Sequence, residues 1–64
     1  MFVYTIDNMF GQTFVSEITR LPDGSISVVS TTDASKALHY EEVERLLTAK
    51  ERRDRGLKFN WLEV

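Results

Sequence analysis

His39 is the chain's only imidazole, and with Ser16, Ser35 or Asp33 it supplies the residue types of a nucleophile and base pair. Such chemistry needs a nucleophile on a strained turn with the base in hydrogen-bond reach, and no spacing here provides that arrangement. His39 reads instead as a residue at the start of a helix. Glu41, Glu42 and Glu44 form the second group, since neighbouring carboxylates can do general acid-base work or hold a cation. Their place in the first turns of an expected helix accounts for them, because each negative charge there gains about 0.3–1 kcal/mol from the helix dipole. Gly11, Gly24 and Gly56 stand alone in separate turns, so no loop is built to cradle phosphate. Cysteine is absent, which excludes disulfides and thiolate metal sites, and one imidazole with carboxylates is an unusual zinc set. No catalytic residue, cofactor or metal is expected, and the chain reads as a non-enzyme.

Three features point to binding. Between Lys50 and Lys58, five bases (Lys50, Arg52, Arg53, Arg55, Lys58) face two acids (Glu51, Asp54), leaving +3 there and −5 over the rest of a chain whose total is −2. With Phe59 and Trp61 close behind, this segment has the cations and rings of a single-strand nucleic-acid binder. The same arginines, Arg52, Arg53 and Arg55, equally suit an acidic protein partner, or a solvated helix end supported by Glu51 and Arg55 four residues apart. The negative total argues against a chain that coats nucleic acid. Met9 and Phe10, between Asn8 and Gly11, put two large apolar side chains at a hairpin tip, where they either fold back over the sheet or anchor a partner. Val3, Val15, Val29 and Trp61 form the third feature, a surplus apolar sheet face fitted to a partner or a second copy.

The elements that position these residues follow from periodicity. Phe2 to Ile6 alternate as a strand, Gln12 to Arg20 resume the alternation after the Asn8–Gly11 turn, and Ser25 to Thr32 give a third strand after Leu21-Pro22-Asp23-Gly24. The alternation places Phe2, Tyr4, Ile6, Phe14, Ile18, Ile26 and Val28 on one face, with Val3, Val15 and Val29 on the other. A polar turn, Asp33 to Ala37, leads to one helix from Leu38 to Asp54, with His39 at its N-cap, Leu38 and Val43 as a hydrophobic staple, Glu42 in a capping box and Gly56 at the C-terminus. Leu57 to Val64 form the last strand. The expected fold is therefore a single α+β domain over 1–64, in the order β-β-β-α-β. Its four-stranded mixed sheet has the order 4-1-2-3, with the fourth strand parallel to the first and one helix on one face.

With 64 residues, 42% hydrophobic, 28% charged and one proline, the composition is that of a globular domain rather than a disordered tail. A core of this size supplies only about 3–5 kcal/mol, so self-association or a bound partner is the expected supplement. No apolar run approaches the roughly 20 residues of a membrane span and the N-terminus lacks a basic, then apolar leader, so the cytoplasm is the expected compartment.

The run Asp33-Ala34-Ser35-Lys36-Ala37-Leu38, the helix segment Glu41-Glu42-Val43-Glu44-Arg45-Leu46-Leu47 and the closing Trp61-Leu62-Glu63-Val64 resemble small phage and prophage proteins of unassigned function. In those proteins a hairpin precedes an acidic turn, a Glu- and Leu-rich helix and a final strand. His39 departs from the Ser, Thr or Asp usual before that helix. The resemblance implies a phage-type accessory protein in host cytoplasm that binds and modulates or inhibits a host or phage protein, and it carries no catalytic residue across. The alternatives are a nucleic-acid binder using Lys50, Arg52, Arg53, Arg55, Lys58, Phe59 and Trp61, and a self-assembling structural subunit such as a homodimer.

Overall fold

The computed structural model describes residues 1–9 and 11–63. Four strands form, β1 (Phe2–Asn8), β2 (Gly11–Arg20), β3 (Ile26–Thr31) and β4 (Lys58–Trp61), with a 3-10 turn at Ala34–Lys36 and two helices, α1 (Tyr40–Leu46) and α2 (Ala49–Asp54). The chain is thus a small α+β domain with one sheet, in the order β3-β2-β1-β4. The turn between β2 and β3 is the one its residues predict. Gly24 takes φ +90°, its N–H donates to the Leu21 carbonyl at 2.9 Å, and the Asp23 carboxylate accepts from the Ser25 N–H at 2.9 Å.

Every strand pair is antiparallel, which corrects the expected mixed sheet. The reason lies in the helical segment, which is two short helices rather than one. In the β1-β2-β3 meander, β3 ends at the same end of the sheet as β1, and β4 starts opposite Thr5, toward that end, then runs back to Trp61 opposite Phe2. A straight helix from Leu38 to Asp54 would have carried the chain across to the other end and made β4 parallel. The segment breaks at Leu47, whose extended backbone (φ −125°, ψ 137°) ends α1, and restarts at Thr48.

The restart is local chemistry. Thr48 Oγ1 accepts from the Glu51 N–H at 3.2 Å, and the Glu51 carboxylate accepts from the Thr48 N–H at 2.9 Å, so two otherwise orphaned donors are satisfied reciprocally. At the start of α1, His39 is the N-cap, its Nδ1 accepting from the Glu41 N–H at 3.4 Å. Glu42 is not in a capping box there; its carboxylate takes Arg45 at 2.7 Å instead. Gly56, at φ +69°, closes α2 by donating to the Arg53 carbonyl while Leu57 donates to that of Arg52. Thr48→Ala removes one of the two capping bonds and is expected to cost about 1 kcal/mol, lowering the thermal midpoint by roughly 4–8 °C in a domain of this size. A circular-dichroism melt checks this, and an unchanged midpoint would show that packing alone sets the break.

The core lies between the sheet and the helical segment, filled from α1 and from the residues on either side of α2 rather than by α2 itself. Tyr4, Val15, Val43, Leu47 and Leu57 are buried together, with Ile6, Ile18, Ile26, Val28, Leu38 and Tyr40 packed around them. Val15 and Phe14 have exchanged the faces that strict alternation assigns them. The β2–β3 register slips between Val15 and Glu17, where Ser16 has no register partner and its hydroxyl donates to the Val29 carbonyl of β3 at 3.1 Å. That extra residue puts Val15 and Ile18 on the helix-covered face and leaves Phe14, opposite Thr5, on the other. β1 is packed on both faces, since Val3 and Thr5 are buried on the side away from Tyr4.

Candidate protein-contact surface

Antiparallel pairing of β4 with β1 sets Trp61 opposite Phe2 and Phe59 opposite Tyr4, all on one face because directly paired residues point the same way. The start of α1 brings Tyr40 over this group. Phe2 and Phe59 stack at 4.6 Å between ring centroids with 14° between planes, and Trp61 meets Phe2 edge-on at 4.8 Å. Tyr40 stands edge-on to Phe59 at 5.5 Å and to Phe2 at 6.1 Å, and Tyr4 meets Phe59 at 5.6 Å. His39 adjoins Tyr40 at 4.7 Å. Mutual contact holds these rings in place, yet Phe2, Phe59 and Trp61 remain 39%, 49% and 63% exposed. Large rings pre-ordered by their neighbours offer contact area at small entropic cost, the property that makes aromatic residues anchors of protein interfaces.

The acidic and basic charges near this surface are mostly engaged. The Tyr4 hydroxyl donates to Glu44 at 2.8 Å, and burial, then this hydrogen bond, push the phenol above its ordinary value while Arg52 pulls the other way. Arg52 stacks its guanidinium 5.5 Å from the Tyr4 ring centre and donates to the Leu47 carbonyl at 2.6 Å, clamping α2 to the end of α1. Arg55 donates to the Ile26 carbonyl at 3.3 Å, and Arg20 reaches Glu51 at 3.6 Å and the Leu46 carbonyl at 3.2 Å. Lys58 holds Asp7 at 2.8 Å.

Several expected site residues stand elsewhere. Val3 and Val15 are fully buried and offer a partner nothing, Val15 because the β2 bulge turned it inward. Trp61 lies on the helix-covered face rather than on the surplus face, which retains Val29 at 46% exposure. Met9 projects from the hairpin tip at 87% exposure, so it does not fold back over the sheet. Phe10 lies outside the described residues. Of the basic segment, Lys50 and Arg53 are exposed, whereas Arg52 and Arg55 are tied to backbone carbonyls and Lys58 is on the opposite face of β4 from Phe59 and Trp61. The cations and rings of the nucleic-acid reading are thus not gathered on one face. Phe2 and Tyr40 belong to the surface and were missed, although Phe2 was legible as the same-face neighbour of Tyr4 on an edge-adjacent strand. Tyr40 required the turn of α1.

Among the described residues, no group of three or more His, Cys, Asp or Glu side chains is arranged to hold a metal ion, and no helix is long and apolar enough to cross a membrane. What the geometry defines is a small antiparallel α+β domain with a pre-ordered aromatic surface at one sheet edge. Comparison of the chain with protein-family models, with curated proteins and with solved structures finds no match.

The carboxylates give the domain an acid limit. Hydrogen bonds from Lys58 and Gln12 hold Asp7 below the ordinary carboxylate value, those from Ser25 and Ser35 do the same for Asp23 and Asp33, and the Thr48 N–H lowers Glu51. A carboxylate whose folded value is depressed contributes stability that is present above its unfolded value and lost as pH falls through the folded one. The thermal midpoint is therefore expected to hold from neutral pH down to about 4, and to fall below it as these groups protonate. Melts at stepped pH check this, with the Asp7 part shrinking as salt rises, since that pair is exposed.

Proposed function

We propose that this chain is a non-catalytic protein-binding domain, of the accessory kind that phages deploy in host cytoplasm, which modulates or inhibits a host or phage protein by covering part of its surface. The observation that carries this reading is the cluster of Phe2, Tyr40, Phe59 and Trp61, whose rings fix one another while three of them stay open to solvent. The exposed cations Lys50 and Arg53, on α2, supply electrostatic steering toward an acidic surface rather than the main contact.

The test is affinity capture from host lysate with the wild-type chain and with Trp61→Glu as baits, each with and without nuclease. A stoichiometric protein that survives nuclease and is lost with Trp61→Glu supports the reading. Capture abolished by nuclease, and weakening steeply as salt rises from about 50 to 200 mM, would replace it with phosphate-backbone binding.

A further inference from the structure

We infer that the free edge of β4 pairs with β4 of a second copy in a single register centred on Asn60, setting two aromatic surfaces side by side. This rests on the reading of those rings as a contact surface and names what first assembles it.

The backbone groups of β4 that point outward decide what the edge can pair with. Met1 and Leu62 exchange both main-chain hydrogen bonds, the Leu62 N–H donating to the Met1 carbonyl at 2.7 Å and the Met1 amine to the Leu62 carbonyl at 3.0 Å. In an antiparallel ladder such pairs alternate with non-bonded ones. Along the register Phe2–Trp61, Val3–Asn60, Tyr4–Phe59, Thr5–Lys58, it follows that Lys58, Asn60 and Leu62 direct their backbone groups to β1. Phe59 and Trp61 direct theirs away from the sheet. β4 is an edge strand, and no turn, loop or side-chain hydrogen bond of the described residues reaches the N–H or C=O of either residue.

An unpaired edge of this kind is a template for another strand, and a second β4 meets it with the same groups. A two-fold axis perpendicular to the sheet at Asn60 places Phe59 opposite Trp61 of the second copy, and the reverse. In that register every outward N–H and C=O of Phe59 and Trp61 finds a partner, and a ring faces a ring across the junction. A register centred on Phe59 sets Trp61 opposite Leu57 of the second copy, whose N–H is already given to the Arg52 carbonyl, and one centred on Trp61 sets Phe59 opposite Glu63, which lies beyond the strand. A shift that puts Asn60 opposite Trp61 would set side chains of opposite faces against each other. The two sheets join into one, and the rings of both copies line one face and stay available to a partner protein. So short a strand contact lies below the roughly 1,200 Å² of a standard interface, so the dimer is weak, with a dissociation constant on the order of tens of micromolar.

Two measurements test this. Sedimentation equilibrium of the purified chain is expected to show a reversible monomer–dimer equilibrium, and Trp61→Pro to weaken it at least tenfold with an unchanged circular-dichroism spectrum, since the deleted N–H is an outward one and edge strands tolerate proline there. Separately, Asn60→Cys is expected to form a dimer disulfide on mild oxidation, because residues at a non-bonded pair on the axis lie about 4.5 Å apart. The chain has no other cysteine, and Ser27→Cys on the opposite edge strand serves as the control. A chain monomeric at all concentrations, or Asn60→Cys oxidising no faster than Ser27→Cys, overturns the dimer. So does a captured protein that shields the thiol of the Asn60→Cys variant from alkylation while the chain alone stays monomeric, which would assign the edge to a foreign strand. If the chain is monomeric but Trp61→Glu still abolishes capture, the contact-surface reading stands and the dimer falls. If the dimer forms while Trp61→Glu leaves capture intact, the dimer stands and that reading falls.

Discussion

Leu47→Ala is expected to leave much of the population unfolded at room temperature. Leu47 is 1% exposed, the largest of the fully buried side chains, and it packs with Tyr4, Val15, Val43 and Leu57. Deleting a buried leucine side chain costs about 2–5 kcal/mol, the lost transfer energy plus the cavity left behind. A single core in a domain this small supplies only about 3–5 kcal/mol of net stability, so one substitution consumes most of it. The site has little scope to collapse. Its backbone is the break between α1 and α2, held by the Leu47 N–H on the Val43 carbonyl at 2.9 Å and by Arg52 on its own carbonyl. Guanidinium titration followed by far-ultraviolet circular dichroism checks the effect. Leu21→Ala, at a half-exposed turn position, is the matched control, expected to stay within about 0.5 kcal/mol of wild type. Equal midpoints for Leu47→Ala and wild type would mean that the core does not hold the fold.

Arg52→Glu and Arg53→Glu, one residue apart, are expected to differ by about 2 kcal/mol in stability. From their place in the sequence both belong to a solvated helix end, where charge reversal costs little. Arg52 is instead turned inward, half-buried, stacked on Tyr4 and donating to the Leu47 carbonyl at 2.6 Å. Its replacement loses a charge-assisted hydrogen bond and a cation-ring contact, and brings a carboxylate toward Glu44, which already accepts from the Tyr4 hydroxyl. Arg53 is exposed, and its reversal is expected to change stability by no more than about 0.5 kcal/mol. Thermal melts of the two single variants separate the cases. Arg53→Glu also isolates the steering charge in binding experiments, which Arg52→Glu cannot, because its fold is compromised.

Much of the architecture was legible in the chain. Pro22-Asp23-Gly24 and the Asn8–Gly11 segment locate two hairpin turns because few residues accept the backbone angles required there, and Gly56 marks the end of the helical region for the same reason. Alternation located all four strands to within two or three residues at each end. The Thr48-Ala49-Lys50-Glu51 capping box was also present in the sequence, but it lies inside a run with continuous helical periodicity, and the periodic signal hid it. From that one omission follow the single long helix and the wrong direction of β4.

Residue types and their order determined that this chain forms three meandering strands, a helical segment starting at His39 and a final aromatic strand, without cysteine chemistry. The tertiary structure alone decided which faces those residues occupy. The β2 bulge at Ser16 is a register event, set by how β2 must reach both β1 and β3, and no local preference announces it; it buried Val15 and turned Phe14 away. The break at Leu47 folded the helical segment back, so that β4 returned antiparallel along β1. That return put Phe59 and Trp61 beside Phe2, although Phe2 and Trp61 stand at opposite ends of the sequence. Side-chain contacts between distant segments depend on strand register and direction, and these are fixed only when the whole sheet closes its hydrogen bonds and its core together.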